Sequence, residues 1–294
     1  DAIGAHQPHF AGRQADLGVT RILSDQLTVT AGRARNLSAA TGLDLDIMDN
    51  RAHRHVLERH GIAGFNIGLI GGIGPAAQDY YTRQLIGHFS HAGVRLDLTT
   101  AHGDAPTLLA NLAADRRAQQ AAIFVRLAER LARAGAEFVA VTSIAGHFCR
   151  AEFAAASPLP VIDMIDAVAR DVAARGVQKL GILGTKTVMA SGFYGGITTA
   201  RVFTPTDLDA VHAAYAAMAT AGTVNAGQRQ IFENAAEELM AKGAEAILLG
   251  GTDLALVFDA VTAPFPVIDC AALHAVVIAQ QAIGQAGPPP PAAA

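Results

Sequence analysis

Ala134–Phe148, A-G-A-E-F-V-A-V-T-S-I-A-G-H-F, decides the fold. A helical run closes on Gly135, an apolar strand follows, and a turn of small polar residues opens at Thr142 and Ser143. Lys242–Leu254, K-G-A-E-A-I-L-L-G-G-T-D-L, repeats the plan. Gly135 answers to Gly243, Glu137 to Glu245 and Ser143 to Gly251, at a constant offset of 108 positions.

The echo extends outward. P-V-I-D at Pro160–Asp163 returns at Pro266–Asp269, and the strand Asn66–Gly71 has its counterpart in Lys179–Gly184. A period of about a hundred residues is too long for a solenoid unit and reads as two related α/β halves. The expected fold is therefore α/β: two pseudo-symmetric three-layer domains with mainly parallel sheets and a site in the cleft between them. Ligands of open α/β sheets sit beyond the carboxyl ends of the strands, which would set Ser143 and Gly251 on opposite sides of one cleft.

Composition limits the function classes. The 294 residues suit two domains, and 51% hydrophobic with 16% charged residues supplies sizeable cores. A net charge of -4 disfavours a nucleic-acid binder, and no apolar run is long enough for a membrane span. Two cysteines, Cys149 and Cys270, make no disulfide framework and fit a reducing, cytoplasmic setting.

Four segments are expected: an N-terminal extension over residues 1–64, a first half over 65–175, a second over 176–284 whose last helix could pack back on the first, and a disordered Pro/Ala tail over 285–294. Within the extension, Val19–Ala31 suggests a strand or hairpin and Leu43–His60 a partial helix. His53 and His55 stand two apart among Arg51, Arg54 and Arg59, which reads as a solvated basic face and not as a metal site.

Asn66–Ile70 is a buried strand running into Gly71-Gly72-Ile73-Gly74-Pro75, with a helix from Ala76 to His88. That turn presents backbone N–H groups to an anion. It has neither the G-x-G-x-x-G spacing nor a following Lys, so Gly72 and Gly74 suit a carboxylate better than a dinucleotide. His102–Thr107 reads as a polar loop and Ala114–Arg133 as one long helix. Lys186 follows a strand end and is expected to face the cleft.

The candidate site groups are Thr142, Ser143, His147, Thr185, Lys186, Gly251, Thr252 and Asp253. They are mostly small hydrogen-bonders with one cation, a set suited to a small carboxylate or amino acid. Neither His147 nor Asp253 has companions at a metal-ligand spacing, and no metal or other cofactor is expected. A Ser143–His147–Asp253 hydrolase triad is disfavoured because Ser143 lacks the G-x-S-x-G elbow.

At these residues the chain resembles the PLP-independent aspartate/glutamate racemase family over about residues 66–284. The likeness is carried by Gly71–Pro75 with Tyr81, R-A-G-A-E-F at Arg133–Phe138, G-T-K-T at Gly184–Thr187 with Gly192-Phe193-Tyr194, Gly250–Leu254, and the closing P-V-I-D with Leu273-His274-Ala275. The resemblance implies a homodimer, no cofactor, and two cysteines, one per half, working on opposite faces of the substrate Cα.

This chain departs from that pattern at both thiols. Where the family reads C-N-T-A-H it has S-I-A-G-H, giving Ser143 and Ile144; where the family reads G-C-T-E it has Gly250–Asp253, giving Gly251. Gln78 replaces a family Thr, while Lys186, His147 and Thr252 match. A hydroxyl is a far weaker base than a thiol, and glycine carries no proton. Two-thiol racemisation is therefore not expected. Serving instead are Ser143, His147 and Asp253 as acid–base candidates, with Cys149 and Cys270 as remote substitutes.

Three readings follow: cofactor-independent proton-transfer chemistry of isomerase or lyase type on a small carboxylate or amino-acid-like substrate, a non-catalytic ligand-binding homologue, or racemisation by relocated groups. The space left at Gly251 suggests a substrate bulkier than aspartate.

Overall fold

Two four-stranded parallel sheets carry the chain, and both are wired in the same order. The computed structural model describes residues 65–258 and 262–286. The readings made for the N-terminal extension, including His53 and His55, and for nearly all of the tail lie outside them.

The first half runs β1 (Phe65–Gly71), α1 (Pro75–Ala92), β2 (Leu96–His102), α2 (Ala105–Ala113), α3 (Arg117–Arg133), β3 (Phe138–Val141), a 3₁₀ turn at Ile144–Cys149, α4 (Arg150–Ala156), β4 (Val161–Ile162) and α5 (Met164–Ala174). The second runs β5 (Lys179–Gly184), α6 (Lys186–Ala190), β6 (Arg201–Phe203), α7 (Leu208–Ala221), α8 (Ala226–Ala241), β7 (Ala246–Gly250), a 3₁₀ turn at Thr252–Leu256, β8 (Val267–Asp269) and α9 (Cys270–Ala286). The sheet orders are β2-β1-β3-β4 and β6-β5-β7-β8, so the strand order reverses between β1 and β3, and again between β5 and β7. Such switch points open a crevice at the strand carboxyl ends.

The repeated residues have repeated structural work. Gly135 and Gly243 both take the left-handed conformation, φ 89° and 91°, each just beyond a helix end. The aspartates of the two P-V-I-D stretches each cap the following helix: Asp163 accepts from the Asp166 N–H, and Asp269 from those of Ala271 and Ala272.

Strand alternation splits the first sheet's faces. Ile67, Leu69, Phe138 and Ala140 join a core that includes Tyr81, Leu85, Met164 and Val168, while Ile70, Val139 and Val141 face Phe124, Leu127 and Phe153. The former core continues through Ile182 and Leu248 of the second sheet, so the two halves share apolar packing. Helix α9 packs on α1 and α5, elements of the first half. Ala271, Ala275, Ile278, Ala279 and Ala282 form its buried stripe.

One expectation for the helices is corrected. The long helix is present as α3 from Arg117 to Arg133, but the polar loop read at His102–Thr107 runs into a further helix, α2, which a break at Asp115, φ 48°, separates from α3. Asp104 starts α2 early by accepting from the Thr107 N–H, with a proline in its first turn.

Candidate active site

The two switch points bring together, within each half, the groups singled out above. In the first half, Gly71–Gly74 leaves β1 beside Thr142 and Ser143, which leave β3. The Thr142 N–H donates to the Ile70 carbonyl at 3.0 Å, and its hydroxyl reaches the same oxygen at 3.3 Å. Thr142 is thus fully buried and serves the backbone. Ser143 is 9% exposed and precedes the 3₁₀ turn, and its side chain does not cap that turn. Ile144 lies in the core.

Gly72 is required by its surroundings. Its φ is 136°, and a Cβ there would stand 2.5 Å from the Gly103 carbonyl oxygen. Gly74, with φ 78°, precedes α1, and a Cβ there would make only ordinary contact with Ala77 at 3.8 Å. The Gln78 side chain arches back over Gly71 and comes within 3.4 Å of His102.

His147 is built into the 3₁₀ turn. Its Nδ1 lies 2.9 Å from the Ser143 carbonyl, to which it donates, and its Nε2 accepts from the Met164 N–H at 3.4 Å. Burial holds the imidazole below its usual pKa, against the pull of Asp163 and the Ser143 carbonyl. A neutral ring with both nitrogens engaged fixes the turn that carries Ser143. His274 of α9 packs edge-on against it, ring centroids 6.1 Å apart. The Nε2 of His274 donates to the Ile162 carbonyl at 3.0 Å, and its Nδ1 accepts from the Tyr81 hydroxyl at 2.8 Å.

In the second half, Thr185 caps α6 by accepting from the Val188 N–H. Lys186 opens that helix; its ammonium is half-exposed and pairs with Asp209 at 2.6 Å. A surface pair of this kind contributes at most about 1 kcal/mol, so a carboxylate ligand could draw Lys186 away. Gly251 and Thr252 are buried at the end of β7, and Asp253 is partly exposed.

Two expectations fail here. The space at Gly251 is not vacant, because the phenol of Tyr215, from α7, fills it: a Cβ at Gly251 would fall on the Tyr215 hydroxyl and within 2.6 Å of two ring carbons. The site therefore gains no room there for a substrate bulkier than aspartate. The two cysteines are also shut away. Both are fully buried; burial first, then Glu152, pushes the Cys149 thiol up to about 12, while burial and Asp269 hold Cys270 well above its usual range. A thiol so placed has little thiolate to offer.

Tyr215 escaped the sequence reading. It stands alone among alanines in D-A-V-H-A-A-Y-A-A-M, thirty-six positions before Gly251, and no local pattern links the two. Its hydroxyl donates to Asp253 Oδ2 at 3.1 Å. An apolar open groove between α3 and α4, lined by Ala118, Ala122, Val125 and Glu152, includes none of these groups.

Two like-wired parallel sheets, each presenting small polar turns at its switch point, define an α/β protein of two similar halves. Residues 70–278 match the Asp/Glu/Hydantoin racemase family, and the chain belongs to it. Among solved structures, it resembles a Yersinia pestis protein provisionally named an Asp/Glu racemase, with 28% identity over 74% of this chain and 99% of that one, at a TM-score of 0.68. An aspartate racemase homologue from Pyrococcus horikoshii shares 24% identity over 74% and 98% of the two chains, TM-score 0.64. The aspartate racemase of Picrophilus torridus shares 21% over 76% and 95%, TM-score 0.61. These last two likenesses concern the fold.

Proposed function

We propose that the protein is a cofactor-independent enzyme that moves a proton at carbon in a small carboxylate or amino-acid-like substrate, by isomerase or lyase chemistry that does not use two thiols. The observation carrying this reading is that Ser143 and Gly251 stand at the two switch points where the family's thiols are expected. Around them the polar frame of a carboxylate site persists: the Gly72 and Gly74 turn, Thr185, Lys186 and Thr252.

Without thiols, the groups able to accept a proton from carbon reduce to a few. His147 holds its two nitrogens in structural bonds, and among the described residues no base is bonded to the Ser143 hydroxyl, since the imidazole beside it turns to the backbone. Asp253 is a partly exposed carboxylate at the second half-site. One working base on one face suits exchange with retention, elimination or isomerisation better than racemisation. A homodimer in the cytoplasm belongs to the same proposal. Among the described residues no helix is long and apolar enough to cross a membrane.

The test is proton NMR in D2O with L- and D-aspartate and L- and D-glutamate. Loss of the Cα proton signal with retained configuration is the expected result. Inversion would return the protein to racemisation. Line broadening without any chemical change favours the second reading, a ligand-binding homologue, which the engaged nitrogens of His147 support.

A further inference from the structure

Gly251 invites a simple question: why is there no side chain? The backbone there does not demand glycine. With φ 179° and ψ 136° it is extended, a conformation open to any residue. The nearest atoms to a Cβ at 251 all belong to Tyr215, whose phenol stands where the side chain would begin.

The phenol is fixed there. Tyr215 is only 8% exposed, and its hydroxyl donates to Asp253 Oδ2 at 3.1 Å. Asp253 lies in the 3₁₀ turn directly after Gly251, and α7, which carries Tyr215, packs on that turn. From the other side α1 also touches the turn. The aspartate is therefore held at one oxygen by a group that replaces the 251 side chain.

We infer that Tyr215 and Asp253 form the working dyad of the second half-site, Asp253 as the base that takes the substrate Cα proton and Tyr215 as the residue that positions it. This assignment rests on the function proposed above. In the forward step the Cα–H bond breaks, its proton passes to Asp253 Oδ1, and the electron pair stays on the substrate as an enediolate. The reverse step returns a proton from the Asp253 carboxyl to the same face, re-forming C–H. While protonated, the partly exposed carboxyl trades its proton with water, which is the route by which deuterium enters. Tyr215 keeps its own proton throughout: burial and the adjacent Asp253 carboxylate hold its phenol well above the usual range. Its hydrogen bond to Oδ2 leaves Oδ1 as the free oxygen.

The test measures Cα deuterium incorporation into aspartate and glutamate by the unsubstituted protein, Tyr215→Phe and Asp253→Asn. Phenylalanine keeps the ring in the space beside Gly251 and removes only the hydroxyl. Loss of a hydrogen bond to a charged group should lower kcat by roughly 10- to 100-fold, with KM changed by less than about 3-fold because the carboxylate frame is untouched. Asp253→Asn should lower kcat by at least about 100-fold. In all three, incorporated label should retain configuration. Equal kcat in the unsubstituted protein and Tyr215→Phe would overturn the positioning role, and full activity in Asp253→Asn would overturn the base, with the functional reading intact in both cases. No incorporation by the unsubstituted protein would remove the functional reading and the dyad together. A fall confined to KM would assign Tyr215 to binding and also overturn the inference.

Discussion

Tyr215 and Gly251 behave as one unit although they are distant in sequence. A methyl group at position 251 would overlap the phenol, so Gly251→Ala should destabilise the protein by about 1–3 kcal/mol. In a Tyr215→Ala background the same change should be close to neutral. A double-mutant cycle by urea denaturation checks this; additive penalties would mean that the cost at 251 does not arise from the phenol. Cys149 and Cys270 allow a second residue-level test. Both are fully buried, so a disulfide-exchange reagent at neutral pH should titrate neither thiol in the folded protein within minutes and both in guanidinium. Prompt labelling of one thiol in the native state would restore it as a candidate acid–base group. Sequence reasoning placed Asp253, Ser143 and Gly251 at strand ends because strand-to-turn transitions are written locally. It missed Tyr215 because side-chain replacement across two elements leaves no local trace, and it read His147 as a free base because hydrogen bonds to backbone groups depend on the fold.

At the scale of elements, His274 joins α9 to α1 through Tyr81 and to β4 through the Ile162 carbonyl. Burial, with His147 adding to it, lowers its pKa from the ordinary 6.5 to about 3. The unfolded chain therefore takes up a proton near pH 6.5 that the folded chain refuses until near pH 3. The stability this histidine contributes is complete above about 6.5 and is lost as pH falls toward 3, a loss on the order of several kcal/mol. Thermal unfolding followed from pH 7 to 4 should show Tm falling, and His274→Gln should be less stable at pH 7 but show a shallower decline. Parallel pH curves for the two proteins would mean that His274 is not the titrating group. Elements were legible where caps and periodicity agreed. Asn225 forms a capping box with Gln228 at the start of α8, and Gly243 follows its end, so both termini of this helix are written in local residues. They were not legible at the α2–α3 break, where Asp115 adopts a left-handed conformation that no glycine announced, nor at β6, only three residues long.

The whole molecule was the most legible scale, because a repeat carries its own control: two stretches that mirror each other at constant offset must build similar halves. The shared sheet order answers to that repeat. At this scale the carboxylate frame can be tested through Lys186, whose ion pair with Asp209 is exposed on both sides. Lys186→Ala should leave Tm within about 1 °C, as expected of a surface pair. It should weaken aspartate or glutamate binding, followed by line broadening, by roughly 10-fold. Unchanged binding would place the carboxylate elsewhere.

The last helix carries a different kind of consequence. Helix α9 follows β8 of the second half in the chain, yet it packs along α1 and α5 of the first. The polypeptide is thus stitched shut: a cut near Gly176 would leave the first piece without its cover and the second with an unmatched apolar stripe of Ala271, Ala275, Ile278 and Ala282. One helix thus crosses from the second half to the first and ties the two sheets into a single packed unit.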